Sequence, residues 1–220
     1  MHVPSQSNDH DAMERAFQEI LKSDKGYNPV AVDSLANMLS LKSKKDPDIQ
    51  VRLARSYFLG QNRKKANEYI ERAFNAKKDY SRAYALQGAM ALADYDSTKA
   101  INFYEKAIAA DPKELENYKG FINVVSKKNP ELAVRKLEQL RSLRPDVALD
   151  AMQGNIWFQF GKYTNSIECY EKAKWESLDG QMLGNYALAL NLEERYDESL
   201  SIVKQGLLTY PHSPYLNRVG

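Results

Sequence analysis

The chain has few of the residue types on which metal, thiol or membrane chemistry depends. Its 220 residues include one cysteine, Cys169, so no disulfide forms within the chain and the redox compartment stays open. Its three histidines, His2, His10 and His212, lie at the two ends and form no cluster with Cys169. No apolar run approaches the roughly 18 residues of a membrane span. We therefore expect no metal site, no cofactor, no catalytic residue and no membrane span.

The net charge is small as well. The formal charge of +2 gives no reason to expect nucleic acid or an anionic membrane surface as a partner. The first residues, MHVPSQSNDHD, lack the apolar core of a signal peptide, although a mature or trimmed chain would lack it too. We therefore expect no nucleic-acid partner and favour a cytoplasmic location, with a periplasmic or other envelope location left open.

A small residue recurs at an almost constant interval. Aligned on the phrase AINFYEKAIAADPKE at 100–114, the recurrences are separated by 34, 33, 33 and 33 residues and fall at Ala66, Ala100, Ala133, Ser166 and Ser199. Further small or apolar residues follow each of them after four and seven positions, which places all three on one face of a helix. A proline closes three of the five phrases, at Pro112, Pro145 and Pro211, whereas Lys78 and Leu178 stand at the equivalent places.

A second helical pattern precedes each of these phrases. Short breaking segments separate the two patterns, for example GQN at 60–62, KKNP at 127–130 and GK at 161–162. Each repeat is therefore predicted to be a helix hairpin. Because one hairpin cannot bury its apolar face alone, the hairpins should stack on one another.

The pattern resembles the tetratricopeptide repeat, a helix-turn-helix of 34 residues with the signature W-x₂-L-G-x₂-Y…A-x₃-F…P. The resemblance covers about residues 47–211 and is best at 81–114 and 147–180. It implies an all-α fold, a right-handed α-solenoid of stacked antiparallel helix hairpins. In the third repeat Phe121 and Ile122 replace the usual Leu-Gly pair, so its first helix should pack further from its neighbour.

The predicted organisation consists of an N-terminal part, five repeats and a C-terminal remainder. Residues 1–11 are expected to be a disordered or trimmed start and 12–46 a degenerate hairpin, with Ala16, Ile20, Val32, Ala36 and Leu39 as its apolar positions. The five repeats are 47–80, 81–113, 114–146, 147–179 and 180–212, and 213–220 begins the helix of a further repeat. We therefore expect a fragment of a longer repeat protein that frays at its uncapped C-terminal end or self-associates through it.

The resemblance places a binding wall on the first helix of each repeat. We take its polar members as candidate partner-binding residues, namely Arg55, Arg82, Lys119, Asn123, Asn155, Gln159, Asn185 and Asn191. The amides both donate and accept hydrogen bonds, so they are able to hold the backbone of an extended peptide. The alternative is that they are ordinary solvated residues. Ser126 and Ala151 are expected on the same wall.

Some members of the family grip acidic chaperone tails with a two-carboxylate clamp. Lys119 and Asn123 have the spacing of its first half, but Met152, Gln181 and Asn185 stand where the clamp needs Asn, Lys and Arg. The sequence therefore disfavours the clamp.

The resemblance implies a non-catalytic protein-protein interaction module that binds a peptide or partner protein on its concave surface. Two alternatives stay open. One is a structural scaffold in a larger assembly, for example at a bacterial envelope, and the other is the recruiting part of a larger enzyme.

Overall fold

The computed structural model describes residues 29–38, 45–146 and 148–219, in which helices joined by turns and short connections occur and no strand is present. The described residues form twelve α-helices: α1 Pro29–Met38, α2 Pro47–Leu59, α3 Arg63–Ala76, α4 Ser81–Ala93, α5 Ser97–Ala110, α6 Leu115–Val125, α7 Pro130–Leu143, α8 Asp150–Gln159, α9 Tyr163–Lys172, α10 Gly180–Leu192, α11 Tyr196–Thr209 and α12 Pro214–Val219. A 3-10 turn, Trp175–Ser177, lies between α9 and α10.

The helices from α2 to α11 pair into hairpins. The chain divides after Ala110 into two compact units. In the first unit, α2 packs against α3, α4 against α5, and the first helices α2 and α4 against each other. In the second unit, α6 pairs with α7, α8 with α9 and α10 with α11, while α10 also packs on α8, α9 and α12. The predicted all-α architecture of stacked helix hairpins is confirmed.

The small residue of the repeat is buried in every hairpin. Ala66, Ala100 and Ala133 have no exposed surface, and Ser166 and Ser199 are also buried. The two serines donate hydrogen bonds of 2.8 Å from their hydroxyls to Gly154 O and Ala187 O on the facing helix. The face that the sequence pattern predicted is therefore the face that packs between the helices of a hairpin.

Glycines on two of the first helices make room for a tyrosine ring. A Cβ atom added at Gly88 would lie 2.9 Å from Cζ of Tyr104, and one added at Gly154 would lie 2.9 Å from Cδ1 of Tyr170. Each tyrosine is buried and belongs to the second helix of the hairpin whose first helix carries the glycine. Glycine is thus required because the ring fills the space that a larger side chain would occupy.

The turn between the helices of four hairpins has one shared backbone form. Gln61, Tyr95, Gly161 and Glu194 have φ between 60° and 74°. In each case the following N–H donates to the carbonyl five residues earlier, for example Asp96 N to Ala91 O at 3.0 Å. This is the helix-ending arrangement for which glycine is preferred, because a side chain crowds the backbone at positive φ.

We expect Tyr95→Gly to stabilise the first unit by about 0.5 to 1 kcal/mol, since left-handed backbone disfavours a residue with a Cβ by about 1 to 2 kcal/mol and the flexibility of glycine offsets part of that gain. The Tyr95 side chain is 94% exposed, so little packing is lost. Denaturant unfolding measures the change, and Gly161→Ala is the matched control that should destabilise by a similar amount. A lower midpoint for Tyr95→Gly would contradict this account.

The fourth hairpin differs from its neighbours at its second helix. Helix α9 has 10 residues, whereas the second helices α3, α5, α7 and α11 have 14 each. The chain becomes extended at Ala173, forms the 3-10 turn and then buries Leu178 at the position where three of the other repeats carry proline. Burial of Leu178 thus anchors the connection to α10.

The two ends of the predicted organisation are described only in part. Val32 and Ala36 are buried in the first unit, as expected for apolar positions of the degenerate hairpin. Ala16, Ile20, Leu39, Gly220 and the whole of 1–11 lie outside the described residues. At the C-terminal side, α12 buries Leu216 against Gly206. No helix in the described ranges is long and apolar enough to cross a membrane.

Candidate functional site

Four of the eight predicted site residues line one groove in the second unit. The groove has a volume of about 260 Å³ and is open to solvent. Its lining consists of Lys119, Ile122, Asn123 and Ser126 from α6 and its C-terminal end, Met152, Asn155, Ile156 and Gln159 from α8, and Met182 from α10. We call it the α6–α8 groove.

Helical spacing explains why these side chains meet. Steps of three or four residues lead along α6 from Lys119 to Ile122 and Asn123 and then to Ser126. These side chains therefore share one face of the helix. Met152, Asn155 or Ile156, and Gln159 repeat the spacing on α8. The groove is therefore a product of two periodic helix faces on neighbouring hairpins.

Asn155 is held in one orientation by two neighbours. Nδ2 of Asn185 on α10 donates to Oδ1 of Asn155 at 2.6 Å, and the hydroxyl of Tyr170 on α9 donates to the same oxygen at 3.3 Å. Burial raises the pKa of Tyr170, so its hydroxyl stays protonated and remains a donor. Within the described ranges, Nδ2 of Asn155 and Oδ1 of Asn185 have no hydrogen-bond partner. The pair thus keeps one donor group and one acceptor available.

The groove has an apolar floor and little charge. Ile122 and Ile156 are buried, while Met152 and Met182 are half-buried. Lys119 alone among the nine lining residues carries a charge, and its Nζ forms an ion pair of 2.6 Å with Oε1 of Glu116. This pair joins two exposed side chains three residues apart on one helix, so it is screened by solvent and contributes little.

The other four predicted site residues lie outside the lining of the groove. Asn185 reaches it only through its bond to Asn155, and Asn191 is half-buried farther along α10. Arg55 is exposed on α2 in the first unit. Arg82 on α4 is also exposed and forms an ion pair of 2.5 Å with Asp48.

Two wall positions expected from the sequence are buried. Ala151 packs into the core of the second unit beside Tyr170 and Leu183, because its side of α8 faces the next hairpin. The expectation was therefore wrong for Ala151. Ser126 lines the groove as expected, although little of its surface is exposed.

Sequence reasoning missed the apolar floor. In the sequence, Met152 was considered only as a residue that does not fit the clamp. Ile122 was considered only as a departure from the repeat signature. The available signal was the spacing of three or four residues that joins Ile122, Met152 and Ile156 to the predicted polar residues.

Two features of the described residues bear on their chemistry, the possible metal ligands and the thiol of Cys169. In those ranges no group of three or more His, Cys, Asp or Glu side chains is placed to hold a metal ion. Cys169 is buried on α9, and burial raises the pKa of its thiol. A protonated, buried thiol is a packing residue, since the thiolate is the reactive form.

Comparison with known proteins gives structural matches but no sequence match. No family model matches the chain. No curated protein matches it either. Among solved structures, PilW, a widely conserved type IV pilus biogenesis factor, is 14% identical with a TM-score of 0.68, and the match covers 94% of this chain and 98% of PilW.

Two further structures show the same likeness. Pseudomonas aeruginosa PilF is 15% identical with a TM-score of 0.59, over 95% of this chain and 96% of PilF. YrrB, a tetratricopeptide-repeat protein with an unusual peptide-binding site, is 14% identical with a TM-score of 0.56, over 80% of this chain and 93% of YrrB. At these identities the likeness establishes the fold.

Proposed function

We propose that this chain, which has the tetratricopeptide-repeat fold, is a protein-interaction module that holds an extended segment of a partner protein in the α6–α8 groove. The observation that carries the proposal is the oriented amide pair of Asn155 and Asn185. Proteins of this fold usually mediate protein-protein interaction. YrrB, which shares the fold, has an unusual peptide-binding site.

The amide pair matches the hydrogen-bonding groups of a peptide backbone. Each residue of an extended chain other than proline carries one N–H donor and one C=O acceptor. Asn155 lines the groove and has Nδ2 available as a donor, whereas Asn185, whose Oδ1 is also available, lies outside the lining and joins the groove through its bond to Asn155. The exposed amides of Asn123 and Gln159 add groups of both kinds along the groove. A segment laid there exchanges water for protein partners without its side chains being read.

The orientation of Asn155 also lowers the entropy lost on binding. A free asparagine side chain must be ordered before it holds a ligand, which costs about 0.5 to 1.5 kcal/mol per immobilised side chain. Here the Tyr170 hydroxyl and the Asn185 amide already fix it. The bound geometry is thus present before the partner arrives.

A structural scaffold is the second candidate, because the second unit also has an exposed apolar surface. Tyr196, Leu200 and Leu208 lie on α11 and are 62%, 47% and 85% exposed. Their spacing of four and eight residues places them within about 120° around the helix. PilW, a pilus biogenesis factor, shares the fold, and an assembly role for this chain would use this surface of α11.

We expect Asn155→Ala to weaken peptide binding by about 5- to 30-fold, the effect of losing a hydrogen bond of about 1 to 2 kcal/mol to a partner that becomes desolvated. The probes are 12-residue peptides selected from a random display library on the whole chain, with affinity measured by fluorescence polarisation. The matched control is Asn165→Ala, an exposed asparagine on α9 of the same hairpin, which should leave affinity unchanged.

Two results would contradict the groove as the binding site. In one, no peptide is selected, or the selected peptides bind Asn155→Ala as tightly as the parent chain. In the other, binding survives Asn155→Ala and is lost in Leu200→Ser, which would favour the α11 surface and the scaffold.

A further inference from the structure

The floor of the α6–α8 groove adds a side-chain preference to the backbone recognition. We infer that the bound segment places one uncharged aliphatic side chain, of the leucine or methionine class, on the floor formed by Ile122, Met152, Ile156 and Met182. This inference rests on the proposed function, since it names the chemistry of the segment that the groove holds.

The shape and chemistry of the floor support an aliphatic guest. Four of the nine lining residues are apolar, and two of these four are methionines that are half-buried. Methionine is unbranched and polarisable, so it adapts to guests of slightly different shape. The floor therefore fits a flexible aliphatic side chain and does not require one particular residue.

The groove has room for one large side chain with its adjoining backbone. Its volume is about 260 Å³ and it is open to solvent, which is enough for several water molecules. Water over an apolar floor finds few hydrogen-bond partners, so an aliphatic group that displaces it gains affinity.

The charge distribution disfavours an acidic guest. Lys119 is already paired with Glu116, and none of the other eight lining residues is charged. A carboxylate on the apolar floor would lose hydration and meet no cation there, since the one charged lining residue, Lys119, is exposed to solvent. The groove is thus suited to a neutral segment, in contrast to a clamp for acidic tails.

Methionine methyl signals give a direct test with the whole chain. The chain has six methionines, so ¹³C-methyl labelling reports on Met152 and Met182 in the groove and on Met90, buried in the first unit, as an internal reference. The probes are capped peptides Ala-Ser-Ser-X-Ser-Ser-Ala with X as Ala, Leu, Asp or Lys.

We expect the Leu peptide to shift the Met152 and Met182 methyl signals, to leave Met90 in place, and to bind about tenfold more tightly than the Ala peptide. The factor follows from partial burial of the three extra carbons. The Asp peptide should bind no better than the Ala peptide. Exchanging both groove methionines for Gln should abolish the tighter binding of the Leu peptide. Binding to this variant is monitored by amide signals, because its groove methyl groups are gone. The control Leu208→Gln, on the exposed side of α11, should keep the preference for Leu.

The outcomes separate this inference from the proposed function. Equal binding of the Leu and Ala peptides, with shifts at the side-chain amides of Asn155 and Gln159, would overturn the inference and leave peptide binding standing. Tighter binding of the Asp or Lys peptide would overturn it in favour of charge recognition. If none of the peptides moves any groove signal, the proposed function itself fails.

Discussion

Tyr170→Ala should lower the free energy of unfolding of the second unit by about 3 to 5 kcal/mol, the range for truncating a large buried aromatic side chain. The ring is 1% exposed and lies against Gly154 within its own hairpin. It also packs on Tyr186 of the next hairpin, with ring centroids 5.2 Å apart. The substitution therefore opens a cavity at the place where two hairpins join, and repeats that depend on each other transmit the loss.

Chemical denaturation followed by amide exchange in α8 to α11 measures this effect. Tyr170→Phe separates the hydroxyl from the ring: it should lose about 0.5 to 1.5 kcal/mol, the value of the bond to Asn155. Tyr196→Ala is the control for a tyrosine that is mostly exposed. If Tyr170→Ala unfolds at the same denaturant concentration as the parent, the ring does not carry the joint between the hairpins.

Gly184→Ala should detach α12 from the second unit. A Cβ at this position would lie 2.6 Å from Cβ and 3.0 Å from the backbone carbonyl carbon of Tyr215, distances that real Cβ contacts hardly ever show. Because the obstacle includes backbone, a side-chain rotation cannot relieve it and the whole helix has to move. Overpacking of this kind typically destabilises by about 1 to 3 kcal/mol.

The measurement is residue-by-residue hydrogen exchange. Amides of α12 should lose most of their protection, while amides of α8 and α9 keep theirs, because alanine is a better helix former than glycine in the interior of α10. Gly206→Ala is the milder comparison, since its Cβ would meet mainly the flexible ends of Leu216 and Leu183. Unchanged protection in α12 of Gly184→Ala would show that the helix is not docked as described.

The fold was predictable because small and apolar residues recur at regular intervals that mark the buried face of each helix. Ala66, Ala100 and Ala133 recur at one face of a helix, and that face is the buried one. The end of α9 was not predictable from the same pattern, since the absence of a proline at Leu178 says only that the usual stop is missing. The early helix end and the 3-10 turn depend on burying Leu178, which is a tertiary contact.

The candidate site was predictable as a set of positions but not as chemistry. Helical spacing brought Lys119, Asn123, Asn155 and Gln159 to one groove. It could not reveal that Lys119 is paired with Glu116, or that Asn155 is oriented by Tyr170. Those facts depend on side-chain rotamers and on a neighbour from another helix, which a one-dimensional pattern does not contain.

The hydrogen bond between Asn155 and Asn185 links one wall of the groove to the separation between two neighbouring hairpins. It joins side chains 30 residues apart on α8 and α10, so its 2.6 Å length holds only while those helices keep their present separation. A segment that uses only Nδ2 of Asn155 leaves this bond in place. A segment that competes for Oδ1 breaks it, while α10 stays packed on α8 and α9, for example through the rings of Tyr170 and Tyr186. Two ligands of similar affinity would thus differ in whether Asn155 and Asn185 remain bonded to each other.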